Sequence, residues 1–342
     1  MKQLLAATAA FALATSATAQ EEPQGAPSPN EIVAQADASD WKAIDAEDLL
    51  VMTLAPDRDG NERQVVIQLM PPPFSQGWVE NIRTLARAGW YDGVSINRVQ
   101  DNYVVQWGDP NVDNPEAEGD AKPLPTGLKV MDERDYVVSQ RSEALTDIAM
   151  RGTRFWRNFY SVFQKKTGIM SPGLKGKGVN IDNYATYFYF ARGWPLSMRD
   201  GEWSPVHCYG MVGVGRGYSP DTGSGAELYT VIGHAPRHLD RNIALVGRVV
   251  EGIEHLSSLP RGEGALGFYE DARKRVPIES IRVASDLPAA EQPRFEYLST
   301  ERETFARYAE ARVNRRDPFF IEPAGGADIC NIPVPVRRII AE

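Results

Sequence analysis

Histidine and cysteine are scarce in this chain: four and two among 342 residues. So few leave little room for a Cys/His metal centre and exclude a disulfide-dense miniprotein. Past the first nineteen residues, no run reaches the roughly 18 apolar residues a spanning helix needs. Basic excess is also missing, since 37 Lys and Arg face 46 Asp and Glu for a formal net charge of −9. That balance argues against nucleic acid or an anionic membrane as the main partner. There is no internal repeat. What is present looks globular: 42% hydrophobic and 24% charged residues, which excludes a disordered or collagen-like chain. At about 150 residues per domain, the length predicts two domains, or one large domain with insertions.

The first nineteen residues differ from the rest. Lys2 is followed by an Ala/Leu/Phe run and by Ala17-Thr18-Ala19 before Gln20. A basic start, a short apolar core and a small-residue exit predict a secretory signal peptide over 1–19. The expected destination is the periplasm, with no membrane span after its removal. Export would permit a Cys208–Cys330 bridge, the one pairing two cysteines allow. Cys208, however, sits in Val206-His207-Cys208-Tyr209, which reads as a buried strand. Buried free cysteines are common, so the free thiol is favoured.

Residues 20–40 carry Pro23, Gly25, Pro27 and Pro29 among Glu, Gln, Ala and Ser and read as a flexible leader. Strands are expected at 49–54 and 64–69, with a turn at Asp57-Arg58-Asp59-Gly60. Trp78, Val79, Ile82, Leu85 and Ala86 recur at helical spacing, and Gly89 closes that helix. Strands at 94–99 and 103–107 flank an Asp101-Asn102 turn. The stretch 111–206 reads poorly. It holds an acidic Pro/Gly loop at 113–127 and an aromatic helical stripe from Phe155 to Phe163. An inserted subdomain packing on the core is favoured over a peptide-binding surface. Strands return at 210–214, 226–233, 243–250 and 276–284, with one or two helical turns at 252–259. Thr300-Glu301-Arg302-Glu303 has capping-box form, and a helix to about Arg316 should follow before an irregular Pro-rich tail. Many short strands with one helix near each end suggest a closed β-barrel.

Arg98 is the most informative residue. Period-2 alternation puts it on one face with Val94 and Ile96, and Val104 and Gln106 share a face on the next strand. An arginine among apolar residues is expensive to desolvate and needs a partner or a purpose. Competing motifs are weaker. Gly213-Val214-Gly215-Arg216-Gly217 has dinucleotide-loop form, but Pro220 follows and no helix does. His234 and His238 lie four apart near Asp240, but Pro236 between them breaks any aligning helix. A Cys208 nucleophile beside His207 fails because adjacent strand residues face opposite ways. No cofactor or metal is expected.

Several blocks resemble the cyclophilin family of peptidyl-prolyl isomerases. Tyr91-Asp92-Gly93, Ile96-Asn97-Arg98-Val99 and the run from Asn102 to Pro110 match its motifs in order and spacing. So do Gly210 to Gly215, Gly225-Ala226-Glu227-Leu228-Tyr229, His238-Leu239-Asp240 and Val246 to Gly252. The resemblance covers about 64–110 and 208–284. It implies a mainly β fold: a closed antiparallel barrel over 41–284 capped by two helices. The barrel would be interrupted by an insert at about 111–206 and followed by a C-terminal helical extension over 285–342. The implied substrates are proline-containing polypeptides. Arg98 would be the catalytic residue. Tyr103, Val104, Tyr229 and Leu239 would hold the proline ring, and Gln106 would orient the arginine. Val214, Gly215 and Arg216 would bind the peptide. Glu227 and His238 also fall in the implied site, as replacements for the family's glutamine and tryptophan. Asn97 stands where the family has histidine. Glu227 could pair with Arg98 and withdraw it from substrate, leaving a fold that binds proline segments without catalysis. The Arg98–Glu227 relation decides between these readings.

Overall fold

The computed structural model describes residues 25–112, 117, 119–143, 145, 184–322 and 326–340. The expected signal peptide and the aromatic stripe at 155–163 lie outside them. The described strands, in chain order, are β1 (Trp41–Ala43), β2 (Leu49–Leu54), β3 (Arg63–Leu69), β4 (Ser95–Val99), β5 (Val104–Gly108), β6 (Val138–Ser139), β7 (Tyr187–Ala191) and β8 (Trp194–Arg199). Then come β9 (Glu202–Pro205), β10 (Met211–Val214), β11 (Leu228–Val231), β12 (Leu245–Glu251), β13 (Val276–Val283), β14 (Phe295–Leu298) and β15 (Val336–Arg338). Eight of them close an antiparallel barrel in the order β10-β11-β5-β4-β13-β2-β3-β12. The mainly β, closed-barrel expectation holds.

Residue patterning explains why β2 and β3 are apolar almost throughout. Leu50, Met52, Leu54, Val65, Ile67 and Leu69 fill the main core. Their alternates Leu49, Val51 and Val66 pack outward against Phe295 and Tyr297 of the neighbouring sheet. A strand buried on both faces loses its polar alternation. The helix Gln76–Arg87 buries Trp78, Val79, Ile82, Leu85 and Ala86, the spacing read from sequence. Gly89 follows it at φ +64°, a left-handed value glycine adopts without cost. A single helical turn forms at Glu254–Ser257.

Several boundaries need correction. The leader is not flexible throughout: Ser28 and Glu31 form a capping box on a helix at Pro29–Ala34. Apolar Ile32 is buried in the main core, which fixes that turn. Residues 41–43 do not begin the barrel, because β1 pairs with β14 in a separate sheet ordered β1-β14-β15. The tail is therefore not irregular to its end, since β15 closes that sheet. The C-terminal helix is Glu303–Val313, and Arg302 is its N-cap without a side-chain cap bond. Thr300 instead accepts from the Gly193 N–H at 3.1 Å and donates to Glu301, so the expected capping box is not made.

The insert contributes a four-stranded sheet, β6-β9-β8-β7. It packs on the extension through Phe190, whose ring lies 5.2 Å from that of Phe305. Cys208 lies outside any strand and is bonded to Cys330, correcting the free-thiol expectation. The signal was hidden because the partner lies 122 residues away, beyond the reach of local pattern.

Candidate active site

The β4–β5 hairpin supplies the centre of the site. Asn102 takes the left-handed φ of +50° that the turn needs, as Asp101-Asn102 suggested. Simple alternation would send Arg98 inward with Ile96. The register shows otherwise: Ile96 faces Trp107 while Arg98 faces Gln106, an extra residue on β4. This bulge at Asn97 re-aims the arginine out of the core. Ile96 is fully buried, whereas Arg98 is half-buried and lines a cavity of about 930 Å³.

The Arg98 guanidinium is held on three sides by neutral oxygens. Nε donates to the Leu266 carbonyl at 2.7 Å, Nη1 to Gln106 Oε1 at 3.0 Å, and Nη2 to Gln100 Oε1. Two rings flank it, Phe268 at 5.6 Å and Tyr103 at 5.9 Å from centroid to Cζ. Burial lowers its pKa from the usual arginine value. Among the described residues no carboxylate forms an ion pair with it. Glu227 is turned elsewhere, with Oε1 accepting from the Asp109 N–H at 2.8 Å. Its carboxylate lies over Gly108, where a Cβ would stand 2.1 Å from it. The feared withdrawal of Arg98 does not occur.

Beside the arginine, Val104, Tyr229, Val231 and Leu239 form a small apolar cluster separate from the main core, with Tyr103 and Ile243 against it. All but Val231 line the cavity. Burial raises the Tyr229 pKa well above that of free tyrosine, so its ring presents a neutral wall. Gly215, Arg216 and Glu227 also line the cavity. The Arg216 guanidinium is fastened to the Asn242 and Gly217 carbonyls. Two expected residues do not line it. Val214 is buried, and its N–H goes to the Ala244 carbonyl at 3.0 Å. The Gly215 N–H likewise goes to the Glu227 carbonyl, so neither amide is left to donate to a peptide. His238 is exposed and stacks on Tyr103 at the rim, 6.2 Å between ring centroids.

Sequence reasoning missed Leu266, Phe268 and Gln100 around Arg98, and Trp90, Lys122 and Leu124 elsewhere in the cavity lining. Gln100 is two residues from Arg98 and was findable by its type. Trp90 adjoins the Tyr91-Asp92-Gly93 motif, while Lys122, Leu124, Leu266 and Phe268 arrive from more distant segments with no local mark. Of the alternative motifs, Cys208 is no nucleophile because it is bridged. No metal-holding group of three His, Cys, Asp or Glu occurs among the described residues.

Comparison with known proteins decides the family. The model of "Cyclophilin type peptidyl-prolyl cis-trans isomerase/CLD" matches residues 64–283. The chain belongs to the cyclophilin-type peptidyl-prolyl cis-trans isomerase family. Its activity class is isomerisation of peptidyl-prolyl bonds, and its substrates are proline-containing peptides. A search of curated proteins gives no match. Among solved structures, cyclophilin AquaCyp293 from Hirschia baltica superposes with a TM-score of 0.57 at 19% identity, covering 88% of this chain and 94% of that one. A cyclophilin from Cryptosporidium parvum is more distant, with a TM-score of 0.37 at 12% identity over 69% of this chain and 96% of that one. The insert between β5 and β10 lies inside the span of the cyclophilin match, and all three strands of the β1-β14-β15 sheet lie outside it. No described helix is long and apolar enough to cross a membrane.

Proposed function

We propose that this cyclophilin isomerises X-Pro bonds of exported polypeptides in the periplasm and so assists their folding. Arg98 is the catalytic residue of this reading. Tyr103, Val104, Tyr229 and Leu239 receive the proline ring. The X-Pro bond resists rotation by roughly 18–20 kcal/mol because of amide resonance. Rotation breaks that resonance and leaves the proline nitrogen a better acceptor. A donor fixed where that nitrogen forms stabilises the twisted state more than either planar one, with no covalent step.

The observation that carries this reading is the setting of the Arg98 guanidinium. Three neutral oxygens fix its plane, which leaves two of its five N–H groups uncommitted. Because Gln106 and Gln100 carry no charge, they orient the cation without neutralising it. The apolar cluster beside it suits a ring lacking polar atoms. The periplasmic setting is supported by the signal-peptide pattern of 1–19 and fits the Cys208–Cys330 bridge, which oxidising compartments maintain.

A protease-coupled assay on a short X-Pro peptide tests the chemistry. Arg98→Ala should keep its fold and lose about a hundredfold to a thousandfold in kcat/KM. A wild-type chain that binds the peptide without raising its isomerisation rate would leave a binding module instead. Cell fractionation tests the compartment: the periplasmic chain should begin near Gln20, and an unprocessed cytoplasmic chain would contradict this.

A further inference from the structure

Behind the apolar wall of the cavity runs a chain of buried polar groups that the chemistry above does not use. The Tyr229 hydroxyl meets His207 Nε2 at 3.0 Å. His207 Nδ1 meets Asp240 Oδ1 at 2.9 Å, and the His207 backbone N–H donates to the same oxygen at 2.9 Å. The other Asp240 oxygen accepts from Arg237 Nε at 2.6 Å. His207 is 1% exposed, Tyr229 5%, Arg237 5% and Asp240 8%. Polar groups at this depth are costly unless satisfied, and the Tyr229 hydroxyl, the His207 ring and the Asp240 carboxylate satisfy one another. A carboxylate only accepts, so Nδ1 carries a proton toward Asp240, and Nε2 is the ring nitrogen that bonds the tyrosine hydroxyl.

The space for that hydroxyl comes from Gly213, where a Cβ would stand 2.3 Å from it. The Tyr229 ring is therefore pinned at its tip by His207 and lies over a glycine, with its flank open to the cavity. We infer that His207 is a positioning residue for the proline pocket: held by Asp240, it fixes the Tyr229 ring as a preformed wall. The inference rests on the proposed function, since it assigns the pocket to a proline ring. His207 itself is not among the residues lining the cavity.

Losing the His207 ring strands the Tyr229 hydroxyl, and removing that hydroxyl as well leaves nothing stranded in the wall. Asp240 keeps the residue-207 backbone N–H and Arg237 in both variants. His207→Leu should therefore raise KM for an X-Pro peptide about tenfold with kcat changed less than about threefold. Adding Tyr229→Phe to His207→Leu should bring KM back to within about threefold of the wild type. A role confined to stability would lower Tm and leave KM of the folded fraction unmoved, and it would show no such rescue.

Should His207→Leu fail to fold, labelling the chain with nitrogen-15 histidine supplies the second measurement. Tyr229→Phe in the labelled chain should shift the His207 Nε2 resonance and leave that of His255, on the turn Glu254–Ser257, in place. Wild-type turnover combined with an unmoved His207 resonance, or with single-variant effects on KM that simply multiply, overturns the inference and leaves the function standing. Absence of wild-type turnover and of peptide binding overturns the function and this inference with it.

Discussion

At the scale of single residues, two small features shape the site. One is the bulge at Asn97, which turns Arg98 from the barrel interior to the cavity. The other is Gly213, which makes room for the tip of Tyr229. A methyl group there must displace the phenol. Gly213→Ala is thus expected to raise KM for an X-Pro peptide several-fold and to cost about 1–3 kcal/mol of stability. Steady-state kinetics and urea unfolding check both, and an unchanged KM would mean the ring is not held where the cavity needs it. The Arg98–Gln106 pair was legible through the resemblance of the two strands to cyclophilin motifs, while alternation alone put Arg98 on the wrong face. The contacts from Leu266 and Phe268 were not, because they close over a loop of more than 160 residues. The bulge was also hidden: alternation assumes a regular pleat, and nothing in Ile96-Asn97-Arg98 marks an extra residue.

At the scale of elements, the helix Gln76–Arg87 could be read from its period, and the barrel strands from short apolar runs bounded by turns. The pieces outside the family motifs could not be read so well. The helix Pro29–Ala34 is one and a half turns long, and its leader composition concealed Ile32 as a core residue. The strand β15 pairs with β14 across a long connection, and three residues give too short a pattern to notice. The helix Glu303–Val313 was visible, but what it packs against was not. Phe305 is fully buried between Phe190 of the insert and Tyr308. Phe305→Ala should therefore cost about 3–5 kcal/mol in one global unfolding transition. If only the extension loosened, with the barrel transition unmoved, insert and extension would be appendages rather than parts of one core.

At the scale of the molecule, the insert, the extension and the barrel are tied together near the active site. The Cys208–Cys330 bridge links the segment before β10 to the tail and closes a loop of 122 residues. Cross-links over loops this long stabilise by about 2–5 kcal/mol, chiefly through the unfolded chain. The Cys330→Ser variant should lose about that much in denaturant unfolding, and an unchanged midpoint would contradict it.

Alkaline pH acts on the whole fold as well. Burial raises the pKa of Tyr269 and of Tyr308 to about 12. A phenol whose folded pKa is raised binds its proton longer in the native state than in the unfolded one. Stability from these two groups is complete below pH 10 and lost as pH climbs from 10 to 12. Tyrosine ionisation followed by absorbance should thus coincide with cooperative loss of structure, and ionisation of both tyrosines in a still-native chain would refute their burial.

The central claim is that a charged, fork-shaped donor at Arg98 lowers the barrier to X-Pro rotation. NMR exchange spectroscopy on an X-Pro peptide measures the cis–trans rate directly, without a coupled protease. Three chains suffice: wild type, Arg98→Ala and Arg98→Lys. Lysine keeps the charge but cannot make the fixed contacts to Leu266, Gln106 and Gln100 that orient the guanidinium. The account predicts fast exchange in the wild type and a loss of about a hundredfold or more in Arg98→Ala, with Arg98→Lys much closer to alanine than to wild type. Equal exchange rates in all three folded proteins would contradict it.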